Sequence, residues 1–301
     1  MRGILNFYKP IKKTSAEIVD FFRKSYNKKV GHGGTLDPLA EGVLIILFDE
    51  YTKDQNEIKE MEKEYLATLE LGKVSETFDS EGPIVKVNFE KIPKEDEIIE
   101  TMQKFRGVIE QVPPIYSAVK IKGKPAYKYA REGKEINLKP RKVLVKKIEL
   151  ISYNWPYVVF NIVSSAGFYV RSFANDFGKA IGTGAYLAKL LRKRIGPFTV
   201  EKSLTLEDFQ KNFLEAKIRL YGRVQGVGMR NFIKNLADSF KIVGYAKNLP
   251  DGTVEVILQG KENLIEKIID QFKFAPSLSS ITKIDIVFQK PDPVYRVFSV
   301  I

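Results

Sequence analysis

Residues 31–38 read Gly-His-Gly-Gly-Thr-Leu-Asp-Pro and hold the chain's single histidine, His32, five residues before Asp37. The proline after Asp37 holds that residue extended and aims its carboxylate from a stiff backbone. The glycines beside it allow close approach by a ligand or by another segment. Such a residue is a candidate for carboxylate chemistry. It can also simply cap the turn that the glycines shape, and residue types alone favour that plainer reading. A second stretch, Tyr221-Gly222-Arg223-Val224-Gln225-Gly226-Val227-Gly228-Met229-Arg230, is predicted to leave a strand and open a helix. Loops of that kind present backbone N–H groups to an anion, although the loop by itself is a weak signal.

Composition narrows the chemistry. Cysteine is absent, which excludes disulfides, thiolate catalysis and Cys-based metal sites. One histidine excludes any His₂ or His₃ metal centre, and a Ser-His-Asp triad unless His32 is its base. What remains is carboxylate, tyrosine, arginine, lysine, amide and backbone chemistry. No apolar run approaches the roughly 18 residues of a membrane span, and the start lacks a secretory apolar segment. A cytoplasmic, monomeric protein is expected.

Charge is uneven. The formal net charge is +12. Residues 51–100 carry 7 basic and 14 acidic side chains, whereas residues 101–200 carry 19 basic and 5 acidic, a local net of +14. A basic middle beside an acidic segment fits a polyanion partner, or a solvated lysine-rich surface.

Elements can be placed around these loops. Strands are predicted at residues 3–8, 42–48, 63–71, 116–123, 141–153 and 158–164. Helices are predicted from residue 15, capped by Thr14 or Ser15, and at 94–105, 172–181, 185–193 and 206–213. From residue 216 the order becomes βαββαβ, with strands at 216–221, 242–247, 253–258 and 282–288, and helices at 229–240 and 262–272. A short strand is predicted at 296–301. That is a split-βαβ, ferredoxin-like arrangement, expected to close its own core in about 88 residues. The fold class is therefore α+β, with units at 1–213 and 214–301.

The first loop resembles the G-H-x-G-T-L-D-P-x-A-x-G-V-L motif of the TruB family of tRNA pseudouridine synthases. Further blocks resemble that family in order. They are Asn6-Phe7-Tyr8-Lys9-Pro10 with Lys13-Thr14-Ser15, and Lys63-Glu64-Tyr65 with Thr77-Phe78-Asp79-Ser80-Glu81-Gly82. Gln111-Val112-Pro113-Pro114-Ile115-Tyr116-Ser117 and Gly167-Phe168-Tyr169-Val170-Arg171-Ser172 follow. The resemblance implies a mixed α/β catalytic domain that isomerises a uridine of the tRNA T-loop, expected at position 55, without metal or cofactor. It implies Asp37 as catalytic carboxylate, Arg171 as its ion-pair partner and Tyr65 as the tyrosine stacked near the uracil. His32 and Tyr169 are expected at the RNA. Lys120, Lys122, Arg131 and Arg141, from the basic middle, suit the phosphates of the T-arm. Nothing after residue 213 resembles the RNA-binding module that usually ends this family.

The second loop resembles the G-x-V-Q-G-V-x-[F/M]-R signature of acylphosphatases, and Gly244-Tyr245-Ala246-Lys247-Asn248 resembles their second block. The resemblance implies a small acyl phosphate as substrate. The phosphoryl group would be held by Arg230 and by the amides of Gln225, Gly226, Val227, Gly228, Met229 and Arg230, with Asn248 orienting the attacking water. The other reading is a non-catalytic anion- or RNA-binding module in place of the missing one.

Overall fold

The computed structural model describes residues 1, 3–117, 120–121, 124–126, 129, 138–292 and 294–301. The strands are β1 (Gly3–Lys9), β2 (Val30–His32), β3 (Ala40–Phe48), β4 (Lys63–Leu71), β5 (Lys73–Ser75), β6 (Ile84–Lys86), β7 (Gly107–Gln111), β8 (Lys120–Ile121) and β9 (Lys124–Pro125). They continue as β10 (Arg141–Asn154), β11 (Tyr157–Ser164), β12 (Ala185–Ile195), β13 (Phe198–Thr199), β14 (Leu214–Arg223), β15 (Val243–Asn248), β16 (Val254–Gly260), β17 (Ser280–Gln289) and β18 (Phe298–Val300). One 14-stranded sheet runs β18-β15-β16-β14-β17-β1-β3-β12-β4-β11-β10-β7, with β13 on β12 and β2 on β3. No described helix is long and apolar enough to cross a membrane.

Local chemistry explains most of this order. Thr14 caps the helix Ser15–Tyr26 with a complete capping box, its hydroxyl accepting from the Glu17 amide and the Glu17 carboxylate accepting from the Thr14 amide. β4 alternates buried and half-buried residues, as a strand with one packed face should. β3 is buried along nearly all its length because β1 and β12 flank it, so its continuous apolar run fits a central position.

Residues 185–193 form a strand and not the predicted helix. Leu187, Leu190 and Leu191 recur at helical spacing, which misleads a reading by period. The cause is two register shifts against β4, between Leu187 and Lys189 and between Arg192 and Arg194. Each bulge breaks the two-residue alternation that would mark a strand. The predicted strand at 116–123 is also corrected. Tyr116 and Ser117 lie in a bend, strand begins at Lys120, and residues 118–119 and 122–123 lie outside the described residues.

The core of the C-terminal unit is not closed within its own residues. β17 pairs in parallel with β1, through Ile4↔Val287 and Leu5↔Phe288. Gly3, at φ +101°, makes the approach possible, because a Cβ there would lie 2.6 Å from the Ile286 carbonyl. One apolar cluster joins Leu5, Phe7, Phe22 and Phe48 to Ile218, Ile233, Ile265 and Phe288. Phe22 is its aromatic centre, edge-on to Phe7 at 5.2 Å, Phe209 at 5.4 Å and Phe48 at 5.9 Å. Tyr26 donates to Glu262 at 2.7 Å and Tyr51 to the Ile284 carbonyl at 2.6 Å, tying the two ends of the chain together again.

Phe22→Ala is expected to cost about 3–5 kcal/mol, the range for deleting a buried phenyl group. Because the cluster is shared, both halves should melt together in one transition at lower temperature. Differential scanning calorimetry checks this, and two separated transitions in the native chain would contradict a shared core.

Candidate active sites

The Asp37 loop is fastened from several directions. Ser15 Oγ donates to the Leu36 carbonyl at 3.0 Å and accepts from the Leu36 amide at 2.9 Å. The Lys12 amide donates to the Pro38 carbonyl, and the Gly33 amide to the Ile45 carbonyl, each at 2.8 Å. Gly33 has to be glycine, since a Cβ would sit 2.2 Å from the Ile58 side chain. Lys9 is fully buried beneath, its Nζ donating to the carbonyls of Pro10 and Lys13. Burial lowers its ammonium pKa to about 8.

Arg171, in the first turn of the helix Val170–Ile181, is 7% exposed and meets two carboxylates. Its Nε lies 2.9 Å from Asp37 and its Nη1 3.3 Å from Asp79, while Nη2 donates to the Tyr116 carbonyl at 2.8 Å. Asp79 is buried and is itself held by the Thr77 hydroxyl and the Glu81 amide. The helix start is clamped by Gln111, which accepts from the Tyr169 amide at 2.7 Å and donates to its carbonyl at 3.0 Å. Ser172 adds a 2.6 Å bond to the Val112 carbonyl. Segments far apart in sequence thus build one another's geometry.

A cavity of about 370 Å³ is lined by Asp37, Tyr65, Tyr169, Arg171 and Arg192. A second, of about 620 Å³, shares Asp37 and Arg171 with it and adds His32, Thr14, Asp79 and Tyr116. Burial pushes the Asp37 carboxyl above its ordinary value, Arg171 pulls it back, and Asp79 pushes it up again. Burial likewise raises the Tyr65 phenol, against the pull of Arg192. His32 is lowered by burial and by Lys59, and its buried Nδ1 has no partner among the described residues.

The second loop closes a smaller space. Gly226 and Gly228 take φ of +71° and +80°, and Gly228 precedes the helix Met229–Ser239. A cavity of about 80 Å³ is lined by Gly226, Gly228, Met229, Arg230, Asn231 and Asn248. Arg230 donates one bond, to the Ile301 carbonyl at 2.8 Å, and so keeps further N–H groups free of that contact. The Asn248 Oδ1 is buried and unpartnered among the described residues. Gln225 spends its side chain on the carbonyls of Leu249 and Thr253, both at 2.8 Å. Val227 packs on the core, and neither of these two lines the cavity.

Comparison with known proteins matches the two halves of the chain separately. The model of the TruB family pseudouridylate synthase N-terminal domain covers residues 23–170, and the acylphosphatase model covers residues 216–300. The tRNA pseudouridine synthase B of Clostridium tetani is 41% identical over 216 residues, 71% of this chain and 75% of that protein. Its counterpart in Clostridium acetobutylicum is 42% identical over 219 residues, covering 72% and 75%. The chain belongs to the TruB family. Among solved structures, a chain of a Cbf5-Nop10-Gar1 complex aligns with a TM-score of 0.55 and 33% identity, over 70% of this chain and 54% of that one. In the present TruB-family chain, an acylphosphatase domain follows the synthase domain.

Of the residues predicted for this TruB-family site, Asp37, Tyr65, Arg171 and Tyr169 share one cavity, and His32 lines the adjoining one. Arg141 is exposed at the start of β10 and lines neither, though its charge acts on Tyr169. Lys122 and Arg131, and the side chain of Lys120, lie outside the described residues. Sequence reasoning missed Asp79, which stood in a quoted motif, and Arg192, which was hidden by the misread helix.

Removing one partner from the buried ion-pair network should be severe. Arg171→Leu leaves Asp79 buried without its cation and is expected to cost about 3–5 kcal/mol in urea unfolding. The raised Asp37 pKa also has a sign. Asp37 protonates as pH falls through a value above the ordinary 3.8, so activity that needs its carboxylate should fail earlier in acid than a free aspartate would dictate. A single-turnover pH–rate profile checks this.

Proposed function

We propose that the chain carries two reactions, uridine-to-pseudouridine isomerisation in the T-loop of tRNA by residues 1–213 and acyl phosphate hydrolysis by residues 214–301. The synthase reading is supported above all by Asp37 held against Arg171 in a cavity that also contains Tyr65. The uridine leaves its stack at a cost of about a few kcal/mol and enters that cavity. The N1–C1′ bond breaks, and the Asp37 carboxylate takes up the electron deficiency at C1′ by attack or by electrostatic stabilisation. The uracil turns, C5 bonds to C1′, the C5 proton leaves and N1 gains one. Tyr65 packs against the base. Its raised pKa keeps the phenol protonated, so taking a proton from the sugar requires Arg192 beside it to stabilise the phenolate.

The hydrolase reading is supported by an 80 Å³ cavity that brings Arg230, two left-handed glycines and the free Asn248 oxygen together. That space suits a phosphoryl group and a water and leaves the acyl part outside. Water, oriented by Asn248, attacks phosphorus as the P–O bond to the acyl group breaks. The carboxylate is a good leaving group, so positioning and charge neutralisation are enough.

Asp37→Asn is expected to reduce pseudouridine formation to background while tRNA binding persists. Chemical mapping of treated tRNA reads this out, and normal yield would refute the synthase assignment. With a simple acyl phosphate, Arg230→Ala should lose both turnover and inhibition by phosphate, and Asn248→Ala should lose turnover only. An inactive native chain whose tRNA affinity falls in Arg230→Ala would favour the binding-module reading.

A further inference from the structure

Arg192 has no part in the ion pairs described above, yet it is only 2% exposed. Its Nε donates to the Val43 carbonyl at 2.8 Å, Nη1 to Thr35 at 3.0 Å and Nη2 to Gly34 at 3.1 Å. The last two acceptors belong to the loop that carries Asp37. Three of its five N–H groups are thereby used. Among the described residues no carboxylate forms an ion pair with it. A buried guanidinium held by three carbonyls and by the Tyr65 phenol, with no carboxylate paired to it, is expensive to desolvate, so its charge calls for a role.

Its placement supplies one. Arg192 lines the Asp37 cavity and lies directly opposite Tyr65 across β12 and β4. Gly42 lets β12 come this close to β3, because a Cβ there would lie 2.4 Å from the Arg192 carbonyl. Charge counting points the same way. Asp37 and Asp79 share one cation, Arg171. The other groups that act on Asp37 are Lys9 from β1, Glu81 from the 75–82 turn, and the phenols of Tyr65 and Tyr169. Lys63 and His32 lie beside Arg192. Lys9 offsets Glu81, which leaves two carboxylates against Arg171 until Arg192 is counted.

We propose that Arg192 is a positioning residue for isomerisation: its fork fixes the Gly34–Asp37 loop, and its charge balances the Asp37 carboxylate when a bound uridine expels water. The inference rests on Asp37 being the reacting carboxylate. Full-length Arg192→Lys and Arg192→Gln proteins separate the two parts, since lysine keeps the charge and loses the fork. Single-turnover isomerisation of a tRNA transcript is followed across pH, with folding checked by circular dichroism. Arg192→Lys should be slower by about 10²-fold, the scale for a misplaced catalytic group, with its acid limb unmoved. Arg192→Gln should be slower still, with its acid limb displaced to higher pH. A wild-type rate in the lysine variant, or an unmoved acid limb in a folded glutamine variant, overturns the proposal. Should the glutamine variant not fold, the lysine variant decides alone, and a wild-type rate or a shifted acid limb overturns it. Asp37→Asn in the same assay keeps the premise apart, because turnover there would refute the Asp37 assignment itself.

Discussion

A single guanidinium sets the terms for the synthase half. Arg171 sits between Asp37 and Asp79, buried, with Nη2 donating to the Tyr116 carbonyl. A buried carboxylate without such a partner would protonate, and a buried cation without carboxylates would be expelled or distort its surroundings. Both requirements are met only if the Asp37 loop, the 75–82 turn and the helix Val170–Ile181 arrive together. The capping box at Thr14, the Ser15 clamp on Leu36 and the Gln111 clamp on Tyr169 each fix one of those arrivals. Much of the surrounding architecture follows from the geometry one charged fork demands.

The acylphosphatase half solves a related problem with less. Its small cavity is lined by a loop with two left-handed glycines, one arginine and one buried amide oxygen. Gln225 shows how such a loop is kept open. Its side chain binds two carbonyls of the facing turn, so the backbone beside Gly226 does not collapse onto it.

How far the chain can be read without coordinates depends on where the information lies. Asp37, Tyr65 and Arg171 stand inside motifs that resemble those of the TruB family, and through that resemblance their meeting point was legible. The βαββαβ order was legible too, since its strands and helices show clean periods and its turns carry glycine and proline. Arg192 was not, because two bulges in β12 erase the alternation of a strand and leave leucines at helical spacing. Asp79 was visible but mute, because only the fold brings it to Arg171. The pairing of β1 with β17 left no mark, since the paired residues Ile4, Leu5, Val287 and Phe288 are apolar whatever lies beside them. The basic middle indicated a polyanion by charge, but charge assigns no lysine to a phosphate.

That pairing of β1 with β17 bears on how the chain is made. On a ribosome, Val287 follows Ile4 by a delay on the order of tens of seconds. Throughout that interval the Ile4–Leu5 part of one β1 edge lacks its native partner, since Leu204 bonds only beside Phe7, although β3 can pair with the other edge soon after synthesis. An unpaired apolar edge is a template for other chains. Contacts between opposite ends of a sequence also close slowly. Chaperone dependence during synthesis, more than stability once folded, is where this arrangement would exact its toll.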